Sequence, residues 1–409
     1  MPFHTTTLPN GLQIVGETVP SARSVAVGYY VRTGSRDETP AESGVSHFLE
    51  HMMFKGTPRR TALDVNRDFD KIGASYNAFT SEEVTAYYAA VLPEYLPATC
   101  DIITDILRPS LRQDDFDTEK QVILEEIGMY ADMPSAAAFD HARIHYYKGH
   151  PLGNSVLGTT ESVTALTRDQ MQNYFDRRYS PSNITAVAAG KFDWDEFVEL
   201  CRKGCGHWTN IPTERSHITA VPNAGGTFAV EKAGVAQEQV IVLSPGPDAA
   251  SDLRYAAAVL SVALGDDSGS RFYWSLVDPG LADSASSSTD GSEGSGLIYT
   301  FMTCEPDAST DNLAIIRKVL SEVQTNGITD EELSAAKSKI ASRVVRGSER
   351  PQGLMRALAG AWIYRKERAD ADVELARYDA VTQKDIRTLL DRFPLTDNTV
   401  VAYGPRSTI

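Results

Sequence analysis

The feature that most restricts the fold of this chain is a repeat spaced 215 residues apart. Thr167-Arg168-Asp169-Gln170-Met171 leads to Asp176-Arg177 and then to Asn183 with Ala186-Val187-Ala188-Ala189. Thr382-Gln383-Lys384-Asp385-Ile386 leads to Asp391-Arg392 and then to Asn398 with Val400-Val401-Ala402-Tyr403. The offset is constant (382 − 167 = 391 − 176 = 398 − 183 = 215), so one helix-to-strand unit occurs twice. Duplication of a whole domain follows.

The stretch from Gly206 to Gly226 contains Pro212, Pro222, Asn223 and Gly225-Gly226 with little periodic hydrophobicity, and it reads as a linker. The expected division is residues 1–210 and 226–409, with 206–225 between them. Within each half, strand-like runs such as Val25 to Val31, Thr85 to Val91 and Gln239 to Leu243 alternate with long helical patterns. Apolar residues at three-to-four spacing predict helices over 43–55, 96–107, 113–132, 252–264, 312–325 and 330–346. The predicted class is α+β: two similar lobes, each a mainly antiparallel sheet covered on one side by helices.

Composition narrows the function. The 409 residues carry a formal charge of −16, which argues against nucleic acid, whose phosphates demand a basic surface, and which serves either to favour basic ligands or simply to keep the chain soluble. No apolar run is long enough to cross a bilayer. The start, Met1-Pro2-Phe3-His4-Thr5, has no basic region followed by an apolar one, so no leader is expected. Cys100, Cys201, Cys205 and Cys304 are too few and scattered for a disulfide framework. They predict buried thiols and a reducing, soluble compartment such as the cytoplasm.

Chemistry concentrates in the helix predicted over 43–55. His47 and His51 are four apart with Glu50 between them, so all three project from adjoining parts of one face, while Phe48, Leu49, Met52 and Met53 anchor the other. Two imidazoles can grip one zinc ion, and Glu50 would stand near its water as general base. A two-His site needs a third protein ligand. The helix predicted over 113–132 offers candidates: Glu119, Ile123 and Glu126 form one stripe, and Glu125 points about a quarter turn away.

His47-Phe48-Leu49-Glu50-His51 together with Val122-Ile123-Leu124-Glu125-Glu126 resembles the pitrilysin-type inverzincins, a family of zinc peptidases that includes mitochondrial processing peptidase and insulin-degrading enzyme. In that family the third ligand lies some seventy-five residues after the second His; here 126 − 51 = 75. Arg32-Thr33-Gly34-Ser35-Arg36-Asp37-Glu38, Phe54-Lys55-Gly56-Thr57 and His150-Pro151-Leu152-Gly153 are also similar to it. The resemblance implies one zinc per chain held by His47, His51 and Glu126, Glu50 as general base, and Glu119 as a supporting carboxylate. The metal would sit in the N-terminal domain, and the C-terminal domain lacks the motif. The implied activity is hydrolysis of extended peptides; the alternative is a non-catalytic core subunit of a larger complex.

Gly73-Ala74-Ser75-Tyr76-Asn77-Ala78-Phe79-Thr80 resembles the family segment whose edge strand pairs with substrate, which implies substrate contacts at Asn77, Ala78 and Phe79. One departure stands out. Many relatives carry, in the second half, an Arg and a Tyr seven apart, the Tyr directly after Gly-Leu-Ala, that hold the substrate. Aligning Gly280-Leu281-Ala282 puts Leu276 at the Arg and Asp283 at the Tyr. Neither can do that work, which implies a heterodimer whose homologous partner supplies the pair. The alternative is a homodimer using Arg271 or Tyr273.

Overall fold

Strand β3 (Val25–Val31) is buried at all seven positions. A strand facing water on one side would alternate, so this continuous run requires cover on both faces. The computed structural model, which describes residues 2–215 and 225–409, supplies that cover. Pro222 and Asn223 of the expected linker lie outside the described residues.

Two sheets form. The first contains β1 (Phe3–Thr7), β2 (Gln13–Thr18), β3, β4 (Ser75–Thr80), β5 (Thr85–Val91) and β6 (Ile184–Gly190), in the order β1-β2-β6-β3-β5-β4. The second contains β7 (Gly226–Glu231), β8 (Glu238–Gly246), β9 (Ser284–Ser292), β10 (Ser295–Cys304) and β11 (Thr399–Gly404), in the order β7-β11-β8-β10-β9. Leaving β1 aside, the orders correspond strand for strand. Even the exception matches: β2–β6 and β7–β11 are parallel, and every other pairing is antiparallel. The repeat therefore has a structural counterpart. Thr167 and Thr382 are the N-caps of helices Arg168–Arg178 and Gln383–Arg392, each in a capping box, and Asn183 and Asn398 stand immediately before β6 and β11.

Both faces of each sheet are packed, which differs from the one-sided cover the sequence predicted. In the first sheet Val25, Val27, Tyr29 and Val31 enter one apolar cluster, while Ala26 and Tyr30 enter another with Leu354, Met355 and Leu358 of the helix Pro351–Arg365. In the second, Val240 and Val242 face one cluster, while Ile241 and Leu243 meet Ala138, Ala142 and Tyr146 of the helix Pro134–Tyr146. The two covering helices correspond in sequence (351 − 134 = 217). Both open with Pro in the first turn; Ala138 and Ala142 let the helix Pro134–Tyr146 lie close on its sheet, whereas Leu354, Met355 and Leu358 form the covering face of the other.

The compact units follow this exchange. Residues 2–127, 154–215 and 346–369 form one unit, and 128–153, 225–345 and 370–409 the other. A single cut at 206–225 thus leaves out one helix that each half of the chain gives to the other. All four cysteines are free and buried. No helix among the described residues is long and apolar enough to cross a membrane.

Candidate metal centre

The motif helix (Val45–Met53) begins at Gly44, whose φ of +90° favours glycine. A Cβ there would also lie 2.6 Å from the Leu157 carbonyl oxygen. With no side chain to cap the helix, Glu38 does so from outside: Oε2 accepts from the Gly44 N–H and Oε1 from the Ser46 N–H, both at 2.8 Å. Phe48, Leu49, Met52 and Met53 are buried in the main cluster of the first unit. That packing fixes which way His47, Glu50 and His51 point.

The glutamate helix (Gln113–Ala131) buries Glu119 and Ile123, half-buries Glu126, and leaves Glu125 exposed. The two helices bring His47, His51 and Glu126 together, with one ligand atom from each all within 4.8 Å of one another. Glu126 Oε2 lies 3.5 Å from His51 Nε2 and 3.8 Å from His47 Nε2. Ligands at zinc-bonding distance in a tetrahedron stand about 3.4 Å apart, so these three groups fit zinc. Their chemistry fits as well. Glu119 Oε1 lies 2.9 Å from His51 Nδ1; the proton this bond requires on Nδ1 leaves the Nε2 lone pair turned to the cluster. Glu119 Oε2 is in turn held by the Lys55 ammonium. His47 Nδ1 is buried without a hydrogen bond among the described residues, so this ring is held by packing.

Burial, with help from the neighbouring His51, lowers the His47 pKa to about 4 and keeps the imidazole neutral, as a ligand must be. Burial also opposes the charged form of His51, but the Glu119 hydrogen bond and nearby carboxylates outweigh it and raise its pKa. Burial raises the Glu50 pKa, against the hydrogen bond that Thr80 Oγ1 donates to Glu50 Oε2 at 2.6 Å.

Thr80 ends β4, the edge strand of the first sheet. Asn77 and Phe79 of β4 are exposed and Ala78 is half-buried, packed against the apolar core of the first unit; Asn77 Oδ1 accepts from the N–H of Ala78. Sequence reasoning gave no role to Thr80, Lys55 or Glu38. All three lay inside the family-like runs, which was the available signal. Leu276 is fully buried in the core of the second unit, Asp283 accepts from Gln237 at 2.8 Å, and Arg271 is held by both oxygens of Glu332.

Two imidazole nitrogens and a carboxylate at zinc-ligand spacing, on a duplicated α+β scaffold and together with similarity to zinc proteases, place the chain among the metallopeptidases. It belongs to peptidase family M16, the insulinase family: residues 13–160 match the model for insulinase (peptidase family M16) and residues 165–340 that for the peptidase M16 inactive domain. It is 37% identical to an uncharacterised zinc protease of Streptomyces coelicolor over 94% of this chain and 85% of that protein. It is 27% identical to the beta subunit of the mitochondrial-processing peptidase of Saccharomyces cerevisiae, over 99% and 92%. The structure of a protease from Helicobacter pylori shares the fold with a TM-score of 0.90 at 22% identity, covering 99% of each chain.

Proposed function

We propose that this chain is a zinc-dependent endopeptidase or oligopeptidase, and that it is the catalytic subunit of a heterodimer. The observation that carries the reading is the convergence of His47, His51 and Glu126 within 4.8 Å, beside Glu50. These three residues would hold one zinc ion, which when bound supplies a Lewis acid for polarising water and carbonyl. Thr80 occupies Glu50 Oε2, leaving Oε1 to take the proton of the attacking water and return it to the leaving amine. Glu119 holds the His51 ring in its ligand tautomer. The free edge of β4 offers N–H and C=O groups to an extended peptide, with Asn77, Ala78 and Phe79 lining the docked strand.

The heterodimer rests on the second unit. At the positions where relatives carry the Arg and Tyr, Leu276 is core and Asp283 is an acceptor; Arg271, the nearest substitute, is committed to Glu332. A homologous partner without the zinc motif supplies the pair. Metal analysis and peptide hydrolysis test the two statements separately. The isolated chain should bind one zinc and cleave poorly until the partner is added. No zinc, with His47→Ala changing nothing, leaves the core-subunit reading in its place. Full activity from rigorously isolated chain removes the heterodimer and keeps the enzyme.

A further inference from the structure

The first unit contains a second concave site that takes no part in the chemistry above. Its volume is about 430 Å³, in the range that holds small organic ligands. It lies where the helices Leu96–Ile106 and Trp194–Cys205 meet the chain after the motif helix, and Pro58, Pro97 and Leu200 give it apolar walls. Its charges are unequal. Arg59 pairs with Asp101 at 2.9 Å and Asp105 at 2.8 Å, and Arg60, from behind the wall, pairs with the same two carboxylates at 2.6 and 2.8 Å and with Asp68 at 3.0 Å, so both aspartates of the wall are neutralised.

Arg108, also on the wall, is not cancelled. Its Nη1 and Nη2 donate to the backbone carbonyls of Leu107 at 2.7 Å and Tyr179 at 3.2 Å. Trp208 covers one face of the guanidinium, whose central carbon is 3.5 Å from a ring centroid. No carboxylate among the described residues pairs with it. A guanidinium has five N–H donors, and three remain after the two carbonyls are served. Burial holds its pKa down at about 10, the sign of a charge short of compensation. Lys203, exposed on the rim, adds a second cation without an ion pair among the described residues. Two positive charges without an ion pair among the described residues thus line a partly apolar cavity in a chain of net charge −16.

We propose that this cavity binds a small organic anion, a carboxylate carried on an aryl or alkyl body. The carboxylate accepts from Arg108 and Lys203, and the body rests on Pro58, Pro97 and Leu200. The proposal does not depend on the peptidase reading.

Isothermal titration of the full chain with 3-phenylpropionate and with neutral 3-phenylpropan-1-ol tests it. The expected result is saturable binding of the acid at one per chain, with the alcohol at least about tenfold weaker. Because a carboxylate also coordinates zinc, the titration is repeated on His51→Ala, where binding must persist. Arg108→Met and Lys203→Glu should each weaken the acid about tenfold or more. Lys203 is exposed, so its variant remains informative even where Arg108→Met does not fold. The proposal is overturned by no saturation below on the order of 10 mM, by equal binding of acid and alcohol, by loss of binding in His51→Ala, or by unchanged binding in Lys203→Glu.

Discussion

The two units share a strand order yet use the same pair of helices differently. In the first, the helix after β3 and the helix Gln113–Ala131 meet through His51, Glu119 and Glu126. In the second, the helix after β8 (Leu253–Gly265) ends at Asp266, and the helix Asp330–Ser348 meets it through Lys339 and Arg343, with Lys339 at 2.7 Å from Asp266. The long helices start 217 residues apart (330 − 113), and at that offset Ala336 corresponds to Glu119, Ile340 to Ile123 and Arg343 to Glu126. Ile123 and Ile340 are both buried, so the packing position is kept while the polar positions change. Ordinary ion pairs link the two helices in one unit, and a candidate metal-ligand set lies at the corresponding place in the other. The candidate metal centre is a set of side chains grafted on a scaffold that does not need it.

The largest effect expected from breaking this contrast is at His51. His51→Ala removes one ligand and the ring that Glu119 orients, and peptide hydrolysis should fall by about 10³-fold or more with zinc lost from the purified protein. Glu50→Gln should lower hydrolysis about 10²- to 10⁴-fold while zinc content stays at one per chain. Hydrolysis undiminished in either variant would break the comparison at its active end.

Glu38 marks a second difference. It caps the motif helix with a buried carboxylate, whereas the N-cap of the corresponding helix, Asp252, makes no side-chain cap bond. Burial raises the Glu38 pKa from 4.5 to about 7, against the two backbone N–H bonds that favour the anion. Folding therefore favours the protonated form. The associated stability is fully present below pH 4.5 and is lost as pH rises through 7, by no more than about 3 kcal/mol. Denaturant titrations from pH 4.5 to 7.5 should show this slope, and Glu38→Gln should flatten it. An unchanged slope would show that another group titrates.

Glu119→Gln comes next. A glutamine can still accept from His51 Nδ1 but carries no charge to oppose Lys55 or raise the basicity of the ring. Zinc affinity should drop about 10- to 100-fold in competition with a chelator, with hydrolysis restored by excess zinc. An affinity equal to that of the parent would make Glu119 a packing residue like its counterpart Ala336.

The sequence pointed to the candidate metal cluster because part of its logic is local: the four-residue step from His47 to His51 puts both on one helix face, and the stripe of Glu119, Ile123 and Glu126 turns two carboxylates inward together, while the choice of Glu126 as third ligand came from the family resemblance. The repeat was legible for the same reason, since Thr167 and Thr382 carry their capping partners three residues on. What failed was non-local. Nothing near Ala138 or Leu358 indicates that each helix covers the sheet of the other half, and the unbroken apolar runs of strands such as β3, β6 and β11, buried throughout, were the trace of it. Glu38 is six residues from Gly44 in sequence, but its capping role depends on how the intervening chain bends, which periodicity does not report.

The smallest effect should come from the ion pair itself. Asp266 is nearly buried, but Arg343 is about half exposed and Lys339 about a third, so solvent and salt screen much of the attraction. Asp266→Ala should destabilise the protein by about 1 kcal/mol, less at high salt, because Lys339 and Arg343 can turn to water once their partner is gone. Zinc content and hydrolysis should be unchanged, since the first unit builds its cluster from its own helices. A loss of zinc in Asp266→Ala would mean that the two centres are coupled, and the view of them as independent uses of one scaffold would have to be abandoned.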